Sequence, residues 1–267
     1  MITNRLIKKI KAILLLVKTK KNKNMIIEKN DWYLASFPRS GNTWIRVMLA
    51  KLFFQSPSIN SLIDLQKFIP DIHFNEPSII NKIDNKFKII KTHNSFDNSV
   101  KKAIYIYRNP LDVAWSFYGF LKDIKALKSV DIDIFINNFF DGSIPYGRWD
   151  THLINWVENS KINSQILIFS YEEIKRNPEI FLKKVSEAIG VEVNQTDIDK
   201  AIKDSTAELV KIITNDEIFY GANIPQFVNT PINGESIEKK AFKEKYFNRF
   251  KSEIKIYDFD KNVLKIL

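Results

Sequence analysis

The stretch that most restricts the fold is residues 103–107, A-I-Y-I-Y, an apolar run with no polar residue at alternate positions. A strand with one face in water alternates polar and apolar residues, whereas a strand covered on both faces does not. Three further apolar runs are bounded by turn residues, namely Trp32–Phe37, Phe87–Thr92 and Gln165–Ser170. Together these runs predict four buried strands of one central sheet.

Helical patterns lie between the predicted strands. After the first strand, apolar residues share one face at helical spacing; they are Ile45, Met48, Leu49, Leu52 and Phe53. After the third strand, Asn109 suits an N-cap, Pro110 the first helical position and Asp112 the first turn. Further helices are predicted over Trp149–Ser160 and Glu179–Ile189, the second closed by Gly190. This alternation predicts a three-layer α/β fold, with a mostly parallel sheet flanked by helices.

The 267 residues show no fixed repeat and no linker rich in Pro or Gly. We therefore expect a single domain over residues 29–267, preceded by a basic tail or helix over residues 1–28. Its short apolar run, Ala12–Val17, cannot span a bilayer, and lysines follow where a signal peptide has small residues. We expect a cytoplasmic protein, with weak peripheral membrane contact through residues 1–24 as a sharper alternative.

The composition excludes several kinds of site. The chain has no cysteine, which excludes disulfides, thiolate catalysis and Cys-based zinc sites. Its three histidines, His73, His93 and His152, lack metal-ligand spacing, so we expect no metal. The net charge of +10 favours anionic ligands. Because the lysines are scattered without a basic-aromatic repeat, we expect no nucleic-acid partner.

The first motif that carries chemistry is residues 38–44, P-R-S-G-N-T-W, between a predicted strand and a predicted helix. A helix N-terminus offers unpaired N–H groups, Gly41 allows close approach, and Arg39 has the geometry to bind phosphate or sulfate. This pattern indicates an anion site without the G-x-x-x-x-G-K-S/T spacing of an ATP-binding loop. An ordinary turn with a Thr43 cap remains an alternative.

Two other predicted strands end in residues that suit the same site. Lys91-Thr92-His93 closes the second strand, and a neutral imidazole at that position suits a general base. Arg108 ends the third strand, and Ser116 lies in the following helix, where the pair could hold a second phosphate. The carboxyl ends of parallel strands share one edge of a sheet, so these residues are expected to converge.

These motifs resemble those of a known family. The segments F-P-R-S-G-N-T-W, K-T-H, Y-R-N-P-L-D-V-A-W-S and Y-E-E-I-K-R-N-P occur in the order found in sulfotransferases that use 3′-phosphoadenosine 5′-phosphosulfate (PAPS). The resemblance covers roughly residues 30 to 260. It implies a P-loop-like fold and transfer of a sulfuryl group to a hydroxyl or amine. The product would be 3′-phosphoadenosine 5′-phosphate (PAP), and the acceptor a small molecule, lipid or glycan.

The resemblance also implies roles for individual residues. The loop around the 5′-phosphosulfate would be formed by Arg39, Ser40, Gly41, Asn42, Thr43 and Trp44, with Trp44 against the adenine. The 3′-phosphate would be bound by Arg108 and Ser116, and further nucleotide contacts would come from Tyr171, Ser205 and Thr206. His93 matches the catalytic base, Lys91 a lysine near the transferred group, and Arg39 would steady the departing phosphate.

The chain departs from the family pattern in three places. Arg39 stands where cytosolic members usually have lysine, although arginine is familiar there in bacterial relatives. In residues 227–234, F-V-N-T-P-I-N-G, Asn229 replaces an arginine expected at the 3′-phosphate. Lys239, Lys240 or Lys243 are candidate substitutes. The dimer motif of cytosolic members is absent, so no oligomer is predicted.

Two other functions and the acceptor pocket stay open at this stage. The alternatives are a nucleotide-dependent phosphoryl-transfer enzyme, with Asp112 as the nearest Mg²⁺ ligand, and a non-catalytic basic protein binding membranes or polyanions. The acceptor pocket is expected between the nucleotide motifs, in residues 54–88 and 123–146. These segments contain aromatic and imidazole side chains that could shape the pocket, among them Phe54, Phe68, His73, Phe74, Phe135, Phe139, Phe140 and Tyr146.

Overall fold

The computed structural model describes residues 28–55, 59–73, 80, 86–123, 131–214 and 236–250. Within these ranges, four strands form one all-parallel sheet in the order β2-β1-β3-β4. The strands are β1 (Trp32–Ser36), β2 (Ile89–Thr92), β3 (Ala103–Tyr107) and β4 (Ile166–Ser170). The predicted parallel sheet is therefore confirmed, with each strand at its predicted place.

Ten helices occur in the same described ranges. They are α1 (Asn42–Phe54), α2 (Leu62–Phe68), α3 (Pro110–Asp123), α4 (Ile132–Asp141), α5 (Trp149–Ile162), α6 (Tyr171–Arg176), α7 (Pro178–Ile189), α8 (Gln195–Lys203), α9 (Ala207–Thr214) and α10 (Ile237–Arg249). No helix of these ranges is long and apolar enough to cross a membrane. The predicted N-terminal tail or helix, apart from Glu28, and the segment 227–234 lie outside the described residues.

Alternate residues of β1, β3 and β4 enter two separate hydrophobic cores. Leu34 and Ile104 pack against α1, α2 and α7 on one face, whereas Ala35 and Tyr105 pack against α3, α4 and α5 on the other. Burying one large apolar side chain contributes about 1.5–3 kcal/mol. Both faces of the sheet are covered, which explains why A-I-Y-I-Y has no polar alternation and confirms the three-layer arrangement.

The predicted helix boundaries follow local capping. Helix α3 begins at Pro110, and the Asn109 side chain accepts the Leu111 N–H at 2.9 Å. Helix α7 ends at Gly190, whose φ of 80° places it in the left-handed region. The first helix begins at Asn42, with Gly41 as its N-cap and no side-chain cap. The alternative of a turn capped by Thr43 is therefore wrong.

A buried polar network that the sequence did not indicate fixes the segment before β2. Arg46 of α1 is buried; it donates to the Ile69 carbonyl at 3.1 Å and to the Gln66 amide oxygen at 3.1 Å. The Gln66 oxygen also accepts the Asp71 N–H at 2.7 Å. Asp71 then forms a parallel bridge with Lys91 of β2. Helix α1 and the edge strand are thus joined through the turn after α2.

Replacing Arg46 with methionine should destabilise the fold, because the side-chain volume is kept while the Ile69 carbonyl and the Gln66 oxygen lose a buried donor. We expect the free energy of unfolding in urea to fall by about 3 kcal/mol. The matched control is Arg176→Met, since Arg176 lies exposed at the end of α6. Equal urea midpoints for the two variants would contradict a structural role for the Arg46 network.

Candidate active site

The turn between β1 and α1 presents backbone donors at one edge of the sheet. Arg39 and Gly41 both have left-handed backbone conformations, with φ of 71° and 89°. Because Gly41 provides no side-chain cap, no capping side chain occupies the N–H groups of the first turn of α1. These groups and the helix dipole favour a negative charge at this end of the helix.

Buried polar atoms without partners surround the same turn. The Ser40 hydroxyl is fully buried, and neither it nor the Arg108 Nε has a hydrogen-bond partner within the described part of the chain. A buried donor left unpaired costs about 1–3 kcal/mol, so such atoms usually mark a missing partner. A bound phosphate or sulfate would supply acceptor oxygens for both donors. The residues present therefore fit an anionic group.

Arg39 and Ser116, which the sequence assigned to opposite ends of the nucleotide, are direct neighbours. The Arg39 Nε donates to the Ser116 Oγ at 3.1 Å, and the Arg39 guanidinium lies 5.1 Å from the centre of the Phe120 ring. The Arg108 Nη1 donates to the Arg39 carbonyl at 3.4 Å. Two arginine residues of the predicted site are therefore in contact at the turn, through the main chain of Arg39.

Tyr171 covers the turn from the side of β4. Its ring lies so close to Gly41 that a Cβ there would clash with the ring atoms. The Arg108 guanidinium lies 4.5 Å from the centre of the Tyr171 ring, and the Trp44 ring contacts it edge to face at 5.7 Å. Any residue larger than glycine at position 41 would therefore displace the Tyr171 ring.

The segment of Ser205 and Thr206 contacts Trp44 of the first helix, and direct nucleotide contacts of these two residues stay a prediction. The Trp44 indole donates to the Ser205 carbonyl at 2.8 Å. The Ser205 hydroxyl donates to the Ile202 carbonyl at 3.0 Å, and the Thr206 hydroxyl accepts the Leu209 N–H at 3.2 Å. Both hydroxyls stabilise their own helix ends, so the observed contact of this segment is through the main chain.

His93 lies immediately beyond β2 and is fixed against β1. Its Nδ1 is 2.8 Å from the Ser36 carbonyl, and because a carbonyl only accepts, Nδ1 carries the hydrogen. The lone pair of the neutral ring is then on Nε2. Burial, together with the positive charge of Lys91, holds the pKa of His93 well below its usual 6.5. His93 is therefore neutral at pH 7 and able to accept a proton.

The Lys91 ammonium is committed to an ion pair. Its Nζ lies 2.6 Å from the Asp71 Oδ2, and both side chains are buried. Burial lowers the pKa of Lys91 to about 8, and the attraction of Asp71 opposes that shift. The same pair holds the pKa of Asp71 below its usual value, although burial opposes this. A role of Lys91 near a transferred group stays a prediction, since its charge is shared with Asp71.

Only some of the expected acceptor-pocket residues lie near His93. The ring centres of His73 and Tyr146 are 5.8 and 5.7 Å from that of His93. Phe135, Phe139 and Phe140 are instead buried in the core beneath α3 and α5. Phe54 and Phe68 pack against each other beside the opposite core. Phe74 lies outside the described residues.

Two acidic residues near the turn, Asp112 and Glu172, make contacts that the sequence did not predict. The Asp112 carboxylate pairs with Lys239 at 2.5 Å and with Lys243 at 3.6 Å, which brings α10 against the start of α3. The Glu172 Oε1 accepts the Asn109 N–H at 3.1 Å, and burial raises the pKa of Glu172. No local sequence signal indicated these contacts, because they join residues far apart in the chain.

Comparison with known proteins places these features in a family. Residues 29–219 match the family model described as sulfotransferase domain. Sulfotransferase 1E1 of Bos taurus is 28% identical over 203 residues, covering 68% of this chain and 66% of the relative. The amine sulfotransferase of Oryctolagus cuniculus is 26% identical over 200 residues, covering 70% of this chain and 65% of the relative. This chain thus spans just under two thirds of the length of these relatives.

Solved structures show the same fold. The mouse sulfotransferase SULT7A1 complexed with PAP has a TM-score of 0.62 and 23% identity, covering 92% of this chain and 90% of that chain. Retinol dehydratase in a complex with retinol and PAP has a TM-score of 0.67 and 16% identity, covering 93% and 87%. The family model matches more than half of the chain and confirms the resemblance of its motifs. This protein therefore belongs to the sulfotransferase domain family.

Proposed function

We propose that this protein transfers the sulfuryl group of PAPS to a hydroxyl or amine of a small-molecule acceptor, with His93 as the general base. The observation that carries the proposal is the fixed tautomer of His93, beside a turn whose buried donors lack partners. Family membership and the PAP-containing solved structures of the same fold support the choice of nucleotide. Lipid and glycan acceptors belong to the same proposal.

The turn and the residues around it would hold the nucleotide. The 5′-phosphosulfate would lie on the N–H groups at the start of α1, with Ser40, Thr43 and Arg39 as further donors. Arg108 and Ser116 would bind the 3′-phosphate, and Trp44 with Tyr171 would flank the adenine. Lys239 and Lys243 lie on the same side, against Asp112 at the start of α3, and are candidates for the charge that Asn229 lacks.

Two kinds of catalysis would come from the residues of this chain: general-base catalysis, and electrostatic stabilisation of the charge that develops during transfer. When bound, PAPS supplies the sulfuryl group and leaves as PAP. The His93 Nε2 accepts the proton of the acceptor, a role worth about 10²–10⁴ in rate. Arg39 and the N–H groups of the turn stabilise negative charge that develops at the departing phosphate, and one such donor is worth about 3–4 kcal/mol. Since Arg39 keeps its proton, its contribution is electrostatic.

No observation favours a different reaction class. A phosphoryl-transfer enzyme needs a loop lysine and an acidic Mg²⁺ ligand near the phosphates. Arg39 stands in the loop, and the Asp112 carboxylate is paired with Lys239. On the acceptor side, the His73 and Tyr146 rings stand beside His93 and would form one wall of the site for a small hydroxylated molecule. The solved structures of retinol dehydratase contain retinol or androsterone, both small apolar molecules.

Replacing Gly41 with alanine should weaken PAP binding, because a Cβ at residue 41 would push the Tyr171 ring away from the turn. Loss of one contact to a charged group predicts about a tenfold or larger rise in Kd, measured by equilibrium dialysis with PAP without Mg²⁺. The control is Gly190→Ala, since Gly190 has a similar φ of 80° with nothing near its Cβ position. If Gly41→Ala bound PAP as tightly as the control does, the proposed nucleotide site at this turn would be contradicted.

Replacing His93 with alanine should lower kcat by about 10²–10⁴ while the Kd for PAP is unchanged, because the variant loses its base and keeps the turn. The assay uses radiolabelled PAPS with a panel of hydroxylated small molecules, lipids, sugars and phenols. Asn94→Ala is a neighbouring control with an exposed side chain. Turnover by the His93 variant at the parental rate would refute the base assignment. Absence of PAP binding by the parental protein would refute the proposed function.

The rate should resist acidification more than an ordinary histidine base would allow. His93 acts when unprotonated, and its pKa lies well below 6.5, so lowering the pH through 6.5 leaves the base available. We expect kcat/KM to stay level through pH 6.5 and to fall only at distinctly lower pH, in a stopped PAPS assay across pH. An acid limb with its midpoint at or above 6.5 would contradict the assigned environment of His93.

A further inference from the structure

The three histidines of the chain form one series of hydrogen bonds around residue 93. The His93 main-chain N–H donates to the His73 Nε2 at 3.0 Å. The His93 carbonyl lies 3.2 Å from the His152 Nε2, and the His152 Nδ1 lies 2.8 Å from the Tyr105 hydroxyl. Both main-chain polar groups of residue 93 therefore face an imidazole.

The chemistry of these partners fixes where the protons lie. A carbonyl only accepts, so the His152 Nε2 carries a hydrogen and donates it to residue 93. Burial lowers the pKa of His152 to about 4, so the ring is neutral and its Nδ1 accepts from the Tyr105 hydroxyl. An amide N–H only donates, so the His73 Nε2 carries no hydrogen. Each imidazole is thus required in one tautomer.

Both flanking histidines are themselves anchored. The Asp71 Oδ1 accepts the His73 N–H at 2.9 Å, while the Asp71 Oδ2 pairs with Lys91 at 2.6 Å. Lys91 lies on β2, two residues before His93, so the segment carrying His73 is bound to the same strand. His152 is buried in α5 beneath the sheet. The two imidazoles therefore approach residue 93 from segments that are themselves held by a hydrogen bond or by burial.

We propose that His73 and His152 are positioning residues for His93. Strand β2 ends at Thr92, so residue 93 lies beyond the hydrogen-bond ladder and its main chain is held by side chains. Together with the Nδ1 contact to Ser36, these bonds fix three polar atoms of residue 93 and leave Nε2 for the acceptor. This inference rests on the proposed role of His93 as base. A reacting group misplaced by about 1 Å can cost on the order of 100-fold in rate.

The kinetic test compares two replacements of His73. In His73→Gln, the amide oxygen can take the place of Nε2 as acceptor, whereas His73→Phe keeps a ring and removes the acceptor. We expect the Phe variant to lose on the order of 100-fold in kcat with an unchanged Kd for PAP, and the Gln variant to recover most of that loss. If His73→Phe does not fold, His73→Asn replaces it, since its shorter amide cannot reach the His93 N–H. The proposal would be overturned if the variant that lacks the hydrogen-bond acceptor, His73→Phe or His73→Asn, kept the parental kcat. Equal losses of kcat in that variant and in His73→Gln would also overturn it.

A spectroscopic test does not depend on turnover. Nitrogen-15 NMR of the three imidazoles should show His93 protonated at Nδ1, His152 at Nε2 and His73 without a hydrogen at Nε2. In His73→Phe, or in His73→Asn, the released main chain of residue 93 should carry Nδ1 away from the Ser36 carbonyl, so that the single tautomer of His93 gives way to a mixture. An Nε2-protonated His93 in the parental protein, or an unchanged tautomer in these variants, would overturn the inference. A parental protein that shows the expected tautomers and binds no PAP would refute the proposed function alone.

Discussion

The parallel pairing of β1 with both β2 and β3 is the constraint on which the site depends. Parallel strands place their carboxyl ends at one edge, and the pairs Leu34 with Lys91 and Ser36 with Ile106 set how far each strand reaches. The turn after β1, His93 after β2 and Arg108 after β3 therefore meet at that edge. A shift of one residue in either pairing would turn these side chains to opposite faces of the sheet.

The site is held in an unfavourable local state by the rest of the fold. Arg39 adopts a left-handed conformation that non-glycine residues rarely use, and the Ser40 hydroxyl is buried without a partner in the described residues. Such features cost about 1–3 kcal/mol each and persist only where the surrounding structure fixes them. Two hydrophobic cores, one on each face of the sheet, provide that support. An anion bound at the turn would relieve part of the cost.

Electrostatics divides the charged groups into two sets. Lys91 forms a buried ion pair with Asp71 beside β2. Burial, together with the positive charge of Lys91, lowers the pKa of His93 and keeps it unprotonated. Arg39 and Arg108 meet at the turn, where they contact Ser116 and the Tyr171 ring. A neutral imidazole beside a cationic turn is the combination that the proposed proton removal and anion stabilisation require. The buried Asp71 therefore serves the site although it lies away from the turn.

The sequence by itself determined the strands, the parallel sheet and the family, and it predicted an anion site in the turn after β1, because apolar runs, capping residues and short motifs are local signals. It also marked His93, Arg39 and Arg108 as strand-end residues. Only the tertiary structure decided that Lys91 pairs with Asp71, that Phe135 and Phe139 are core residues, and that Asp112 pairs with Lys239. It also decided that His73 and His152 hold the main chain of residue 93. These contacts join residues distant in sequence, and their energies depend on burial and orientation, which no local pattern encodes.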